Sequence, residues 1–282
     1  MFKVDEKLAL DVFYNGESSC LNSIIDCKTY HFVRPILRII NAVSSPYSHF
    51  DFYEKMIAQT LFSKKNPNIL ISGTADYSWI IKNSPLLKAI NKFNIKNTKI
   101  KIIDACMTPL IFSLKASEYL NNIAVSFEAL DIPHQTLNNQ KYDMIITDAF
   151  LTQFSSKIER LKILKSWREM LSDTGVVITT AQISSGLSTR NSHTTNKFVK
   201  NTMQLFDSSV FPDLLNINRN EFEKNVLEYA TPTKSRVYES EEELVNEILI
   251  SDLKIKNIYN KKIYSESSKK TLEYRELVLS IK

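Results

Sequence analysis

The sequence predicts an α/β protein. Its expected core is a doubly wound, mostly parallel sheet of seven strands with an antiparallel last strand, plus an N-terminal helical cap and a helical insertion after strand five. Three observations predict this. Short apolar runs alternate with helical segments over 69–181, the pattern of a parallel sheet with right-handed crossovers. The strands in that region are nearly unbroken in apolar residues, as expected where helices cover both sheet faces. Two further strand-like runs, 255–264 and 272–281, are joined by Ser-Glu-Ser-Ser-Lys-Lys as a hairpin.

Residues 1–65 read as helical and form the predicted cap. From 30 to 43, Phe32, Ile36, Ile39, Ile40 and Val43 recur at helical spacing. Ser44-Ser45-Pro46 ends that run. A second helix is predicted at 49–62, with Phe52, Met56, Ile57 and Leu61 on one face.

The main domain is predicted over 66–282. Its first strand, Ile69-Leu70-Ile71-Ser72, ends at Gly73, and a long helix is predicted at 78–93. The second strand ends in Asp104, and Pro109 falls in the first turn of the next helix, where proline is tolerated. Strands three and four are predicted at 124–128 and 142–148. The segment 155–171 is an amphipathic helix carrying Ile158, Leu161, Ile163, Leu164, Trp167 and Leu171. Asp173-Thr174-Gly175 reads as a turn before the fifth strand, 176–180, which is rich in β-branched residues. The polar stretch 182–235, with helical pieces near 196–206 and 219–229, is the predicted lid insertion. Ser240 and three following glutamates open a helix that runs to 249.

Composition narrows the partners. Thirty-six Lys and Arg against 31 Asp and Glu leave a net charge of +5, with no basic run longer than a Lys-Lys pair. A nucleic-acid footprint is denser and more localised, so no nucleic-acid partner is expected. No run of about 18 apolar residues exists, so no membrane span is expected. The first residues lack a signal-peptide pattern, and the expected compartment is the cytoplasm. Cys20, Cys27 and Cys106 have no framework spacing and no CxxC pair, and the four histidines are scattered. No metal is expected on those grounds. The oligomeric state is left open, a homodimer included.

Only four glycines occur, and glycine is where backbone most easily turns left-handed or approaches a ligand. One of them lies in Ile71-Ser72-Gly73-Thr74-Ala75-Asp76, directly after strand one. Asp104 ends strand two, Leu130-Asp131-Ile132 follows strand three, and Thr147-Asp148-Ala149-Phe150 follows strand four. In this order, with a terminal antiparallel pair, these features resemble the class I, Rossmann-like S-adenosylmethionine (SAM)-dependent methyltransferase family. The resemblance covers 67–181 and 238–282.

The resemblance implies a SAM-dependent methyltransferase acting on a small molecule, with S-adenosylhomocysteine as product and the O-, N- or S-acceptor unresolved. It implies that Gly73, Thr74 and Ala75 carry backbone close to the cofactor. It implies that Asp104 accepts both ribose hydroxyls, while Ala105, Cys106 and Met107 pass the adenine edge. Asp131 would hold the adenine amine between Leu130 and Ile132, and Asp148, Ala149 and Phe150 would face cofactor or substrate. The chain departs from the family pattern in the first motif, where one glycine stands in place of several. A plain strand-to-helix turn at Gly73, an N-cap role for Asp104, a loop role for Asp131 and a helix-capping role for Asp148 remain open beside these assignments.

Methyl transfer from a sulfonium is an in-line displacement, so positioning and exclusion of water carry most of the work. Asp148 and Tyr30 are the candidate catalytic residues. Arg34, Tyr47, His49, Arg190 and His193 are candidate substrate or lid residues: aromatic rings suit a cation, and arginine suits a carboxylate. A nicotinamide enzyme would want GxGxxG with an acidic residue about 20 positions on, and the sequence lacks it. Two other readings stay open: an enzyme of this fold that uses SAM without methylating, releasing methylthioadenosine, and a non-catalytic binding module.

Overall fold

The computed structural model describes residues 4–20, 23–24, 27, 29–120, 123–135, 140–184, 192–209, 211–212, 218–231 and 237–282, with backbone alone at 192–193. Strands β1 (Asn68–Ser72), β2 (Lys99–Asp104), β3 (Ala124–Ala129), β4 (Tyr142–Ile146) and β5 (Leu171–Ile183) pair in parallel. β7 (Lys270–Ile281) joins β5 antiparallel, and β6 (Leu253–Ser265) pairs antiparallel with β7 at the edge. The sheet order is β3-β2-β1-β4-β5-β7-β6. The order reverses between β1 and β4, and ligands of open α/β sheets bind at the strand carboxyl ends beside such a switch point.

Alternate strand residues enter two separate cores, which explains the nearly continuous apolar strands. Ile69, Ile71, Ile100, Ile102, Met144, Ile146 and Ile178 face one core. That core is shared with α1 (Val4–Cys20), α2 (Tyr30–Ile39), α3 (Phe50–Leu61), α4 (Pro85–Lys92) and α5 (Met107–Ser117). Leu70, Ile103, Ile145, Val177, Leu277 and Leu279 face the other, against α6 (Lys157–Met170) and α9 (Glu241–Ile250). Trp167 of α6 donates its Nε1–H to Ser72 Oγ at 2.9 Å, fixing that helix under the end of β1.

Three predicted elements are corrected. The helix expected at 78–93 is a short 3₁₀ turn, Tyr77–Trp79, followed by α4. Ser84 N-caps α4 by accepting the Leu87 N–H at 3.1 Å, and Pro85 starts it; the Ser-Pro pair interrupts the pattern because proline cannot donate to a preceding turn. The helix expected to reach 43 stops at Ile39, and Asn41 turns left-handed with φ 57°. β5 begins at Leu171, and the Asp173-Thr174-Gly175 turn is a bulge inside it: Tyr142 pairs with Leu171 and Met144 with Val176.

Between β5 and α9 lie α7 (Ser192–Asp207) and α8 (Arg219–Ala230). They pack through Phe206 on Phe222, with ring centroids 4.3 Å apart, and Phe222 reaches Phe13 of α1 at 5.8 Å. α7 and α8 therefore rest on the N-terminal helices. Among the described residues no helix is long and apolar enough to cross a membrane.

Candidate cofactor and acceptor site

At the end of β1 the backbone turns left-handed at Gly73, with φ +70°. Its N–H donates to the Ile103 carbonyl at 2.9 Å, continuing the β1–β2 ladder by one step. The Phe150 ring closes over it: a Cβ at position 73 would stand 2.2 Å from two ring carbons. Thr74 donates its N–H to Asp104 Oδ2 at 2.8 Å, and the Ala75 carbonyl accepts the Nδ1–H of His31 at 2.8 Å. Asp76 is buried and N-caps the following turn by accepting the Ser78 N–H at 2.7 Å. It also pairs with Arg38, whose Nε lies 3.0 Å from Asp76 Oδ2. The loop after β1 is thus locked to α2 by an ion pair.

Asp104 bridges two loops. Oδ2 accepts from Thr74 and Oδ1 accepts the Cys106 N–H at 2.8 Å. An ionised carboxylate offers about four acceptor positions, so one on each oxygen remains, the number a ribose diol needs. His31 Nε2 stands 3.9 Å from Oδ1. Burial pushes the Asp104 carboxyl up to about 6, against the downward pull of His31 and of the backbone donors. Burial acts to lower His31, but its contacts with Cys106 and Asp104 outweigh that and hold it up at about 9. Asp104 thus keeps acceptor positions that a vicinal diol could occupy, whereas the place against Gly73 is held by the Phe150 ring.

The remaining predicted cofactor residues line the same edge. Ala105 accepts the Ile24 N–H at 2.9 Å, and Met107 donates its N–H to Ser23 Oγ at 2.9 Å. Leu130 and Ile132 are buried in the second core. Asp131 is half-buried beyond β3, where its Oδ2 lies 2.8 Å from His134 Nδ1. Ala149 is left-handed with φ 50° and donates its N–H to Thr180 Oγ1 at 3.0 Å.

β4 stops at Ile146, two residues short of the expected 148, and Asp148 lies in the loop beyond it with Oδ1 doubly engaged, accepting from Thr180 Oγ1 at 2.7 Å and from Tyr53 OH at 3.0 Å. Tyr30 does not touch it. A chain of contacts links the two instead. Tyr30 stacks on Tyr229 of α8 at 5.4 Å, and the Tyr229 hydroxyl accepts from Arg34 at 3.0 Å. Arg34 also donates to the Ser44 carbonyl at 2.6 Å, and Tyr274 of β7 donates to Ser44 Oγ at 2.8 Å. His49 lies edge-on to Tyr274 at 4.9 Å and donates from Nδ1 to Glu276 Oε1 at 2.9 Å. His49 is also edge-on to Tyr53 at 6.3 Å, and Tyr53 reaches Asp148.

Among the described residues, Arg34 Nε, Tyr47 OH and His49 Nε2 are buried without a hydrogen-bond partner. Buried polar atoms are rarely left so, and an orphan asks for water or a ligand. Three of the predicted substrate residues each present such an atom. Arg190 and the side chain of His193 lie outside the described residues. Sequence reasoning missed Tyr229, Tyr274 and Glu276, which come from helix and strand positions with no motif. It also missed that Cys20, Cys27 and Cys106 meet, because their separations carry no ligand spacing. Hydrogen bonds from Cys27 and His31 hold the Cys106 thiol well below its ordinary value, although burial acts against them.

The geometry can be set beside known proteins. No protein-family model and no curated protein sequence matches the chain. Solved structures do. A magnesium protoporphyrin IX methyltransferase from Synechocystis, with S-adenosylhomocysteine bound, is similar at 11% identity and TM-score 0.51, covering 99% of this chain and all (100%) of that one. A SAM-dependent methyltransferase from Methanosarcina mazei is similar at 13% identity and TM-score 0.50, covering 78% of this chain and 95% of its own. The CcbJ methyltransferase of Streptomyces caelestis is similar at 10% identity and TM-score 0.50, over 86% of this chain and 92% of its own. The fold is that of the class I SAM-dependent methyltransferases.

Proposed function

We propose that the chain is a SAM-dependent methyltransferase acting on a small polar molecule. The observation that carries this reading is Asp104: a carboxylate at the end of β2, beside the switch point, with one acceptor position left on each oxygen. In this reading Asp104 takes the ribose hydroxyls and the turn through Ala105 and Met107 borders the adenine. The backbone at Gly73, Thr74 and Ala75 borders the methionyl end. SAM supplies an electrophilic methyl group. The chain's own task is to hold the acceptor in line with it and to keep water out.

The acceptor is assigned to the neighbourhood of Arg34, Tyr47 and His49, whose Nε, hydroxyl and Nε2 are each buried without a partner. One cation, one hydroxyl and one imidazole suit a molecule carrying an anionic group and a hydroxyl or amine. Asp148, which Tyr53 connects to His49, is the candidate base. The N-terminal helices with the 182–235 insertion serve as its lid. The Phe150 ring against Gly73 favours a second reading, a fold that has closed its cofactor groove and now binds a partner.

Calorimetry with SAM and with S-adenosylhomocysteine separates the two. Binding that is weakened by Asp104→Asn is expected for the enzyme. No heat at millimolar SAM would leave the binding module. Product analysis then decides the chemistry, since methylthioadenosine in place of S-adenosylhomocysteine would exclude methyl transfer.

A further inference from the structure

The three cysteines of the chain converge. Cys20 ends α1, Cys27 lies ahead of α2, and Cys106 stands in the turn between β2 and α5. Their sulfurs form a near-equilateral triangle: Cys20–Cys27 2.8 Å, Cys27–Cys106 2.7 Å and Cys20–Cys106 3.3 Å. All three are free thiols, Cys106 buried and the other two half-buried. The methyl-transfer reading uses none of these sulfurs.

A disulfide accounts for two sulfurs at about 2.05 Å and strands the third. Mutual S–H bonds are weak and are a poor return for ordering three separate segments around one point. A single soft cation satisfies all three sulfurs at once. Tetrahedral zinc at about 2.3 Å from each thiolate separates the sulfurs by about 3.8 Å. The triangle reaches that by opening about 0.5–1 Å per edge. The three ligand atoms already lie within 4.8 Å of one another.

The surroundings are those of a supported site. Ser23 Oγ donates to Cys106 Sγ at 3.3 Å and accepts the Met107 N–H at 2.9 Å. The Ile24 N–H is tied to the Ala105 carbonyl at 2.9 Å. His31 spends its Nδ1–H on the Ala75 carbonyl at 2.8 Å. That leaves Nε2 on the side of Cys106, the arrangement in which an imidazole is held for a metal by a hydrogen bond at its other nitrogen.

We propose that Cys20, Cys27 and Cys106 form a zinc(II) site of three thiolates, with the fourth position on the side where His31 stands. Binding exchanges the remaining thiol protons for metal–sulfur bonds and releases those protons to solvent. The metal clips the end of α1 and the segment before α2 to the turn that begins at Asp104. The proposal does not rest on the SAM reading.

The full chain, reduced, stripped with a chelator and then titrated with cobalt(II) alone, tests it. One cobalt per chain, an intense near-ultraviolet sulfur-to-metal charge-transfer band and displacement by zinc(II) are expected. Cys27→Ser should lower the charge-transfer intensity or abolish binding. Because a buried substitution can unfold the chain, native mass spectrometry of the unsubstituted protein gives an independent reading, with one zinc per chain expected. A reduced, folded chain that takes up neither metal overturns the proposal. So does uptake with full charge-transfer intensity in Cys27→Ser, or an iron–sulfur chromophore in the purified chain. Loss of SAM binding with cobalt binding intact would count against methyl transfer and leave the zinc site standing.

Discussion

Phe150 lies on Gly73, with its ring where a side chain at 73 would have to stand. Two barriers then guard this position: the left-handed φ of +70° and the 2.2 Å approach of the ring. Gly73→Ala meets both. The backbone penalty alone is about 1–2 kcal/mol, and overpacking adds about 1–3 kcal/mol. Urea unfolding should show a loss of about 2–5 kcal/mol on those grounds. In the Phe150→Ala background the steric part disappears and about 1–2 kcal/mol remains. Equal losses in the two backgrounds would show that the ring is not the obstacle.

Asp104 is predicted to govern cofactor affinity. Hydrogen bonds to a charged group contribute about 1.5–3 kcal/mol, so Asp104→Asn should weaken SAM binding about ten- to a hundredfold by calorimetry. An amide also turns a donor toward either the Thr74 or the Cys106 N–H, which now share the two oxygens at 2.8 Å each. A modest fall in stability accompanies the loss of affinity. Unchanged affinity would leave Asp104 a bracket between two loops and nothing more.

The Arg38–Asp76 pair sets an acid limit on stability. Arg38 donates from Nε to Asp76 at 3.0 Å and from its two terminal nitrogens to Asp5 at 2.8 and 2.6 Å. Burial raises the Asp76 carboxyl, but Arg38 and the Ser78 N–H outweigh it, and the net shift is downward from 3.8. A carboxyl with a depressed folded value contributes stability above its unfolded pKa. That contribution is lost as pH falls through the folded value. Stability should therefore drop steeply below pH 3.8. Asp76→Asn should be less stable at pH 7 and show a flatter profile below pH 4, measured by unfolding at a series of pH values. Parallel profiles would remove Asp76 from the account.

The sheet could be read from sequence because its strands report on themselves. Ile69-Leu70-Ile71 and Val176-Val177-Ile178 enter cores on both faces, and that requirement is written in consecutive residues. The terminal hairpin was equally readable, since β6 and β7 are joined directly. The candidate site could be named from sequence where a strand end or the loop after it marks it, at Gly73, Asp104 and Asp148, and through the aromatic and basic residues of the cap. Arg38 with Asp76, His49 with Glu276 and the three cysteines meet through the fold, with no spacing rule to announce them. His49 and Glu276 are 227 positions apart. The misread helix at 78–93 had its signal in plain view, a Ser-Pro N-terminus at 84–85 inside an otherwise helical pattern.

Arg160 and Glu247 fasten α6 to α9 as a buried ion pair. Arg160 donates from Nε at 2.9 Å and from a terminal nitrogen at 2.6 Å to the two carboxylate oxygens of Glu247. The Tyr238 hydroxyl joins at 3.1 Å. Removing one partner of a buried pair costs about 3–5 kcal/mol because the other charge is stranded. Glu247→Ala should fall in that range by chemical denaturation. A loss under about 1 kcal/mol would mean that Glu243, which also pairs with Arg160 at 3.2 Å, and the Phe154 and Ser155 carbonyls, which accept from it at 3.1 and 3.2 Å, satisfy it without Glu247.

Asp148 separates positioning from cofactor binding. Both of its donors, Tyr53 and Thr180, contact Oδ1, and Oδ2 remains to meet an acceptor. Thr180 also receives the Ala149 N–H at 3.0 Å, so the loop is held by Thr180 and survives loss of the carboxylate. If Oδ2 takes a proton from the acceptor, Asp148→Asn should lower kcat about 10²- to 10⁴-fold while SAM affinity changes less than about twofold. Tyr53→Phe leaves the carboxylate in place and removes only one donor to it, so its loss of kcat should be much smaller, about tenfold at most. A kcat unchanged in Asp148→Asn would assign the proton to solvent and leave Asp148 as a hydrogen-bond partner of Tyr53 and Thr180 alone.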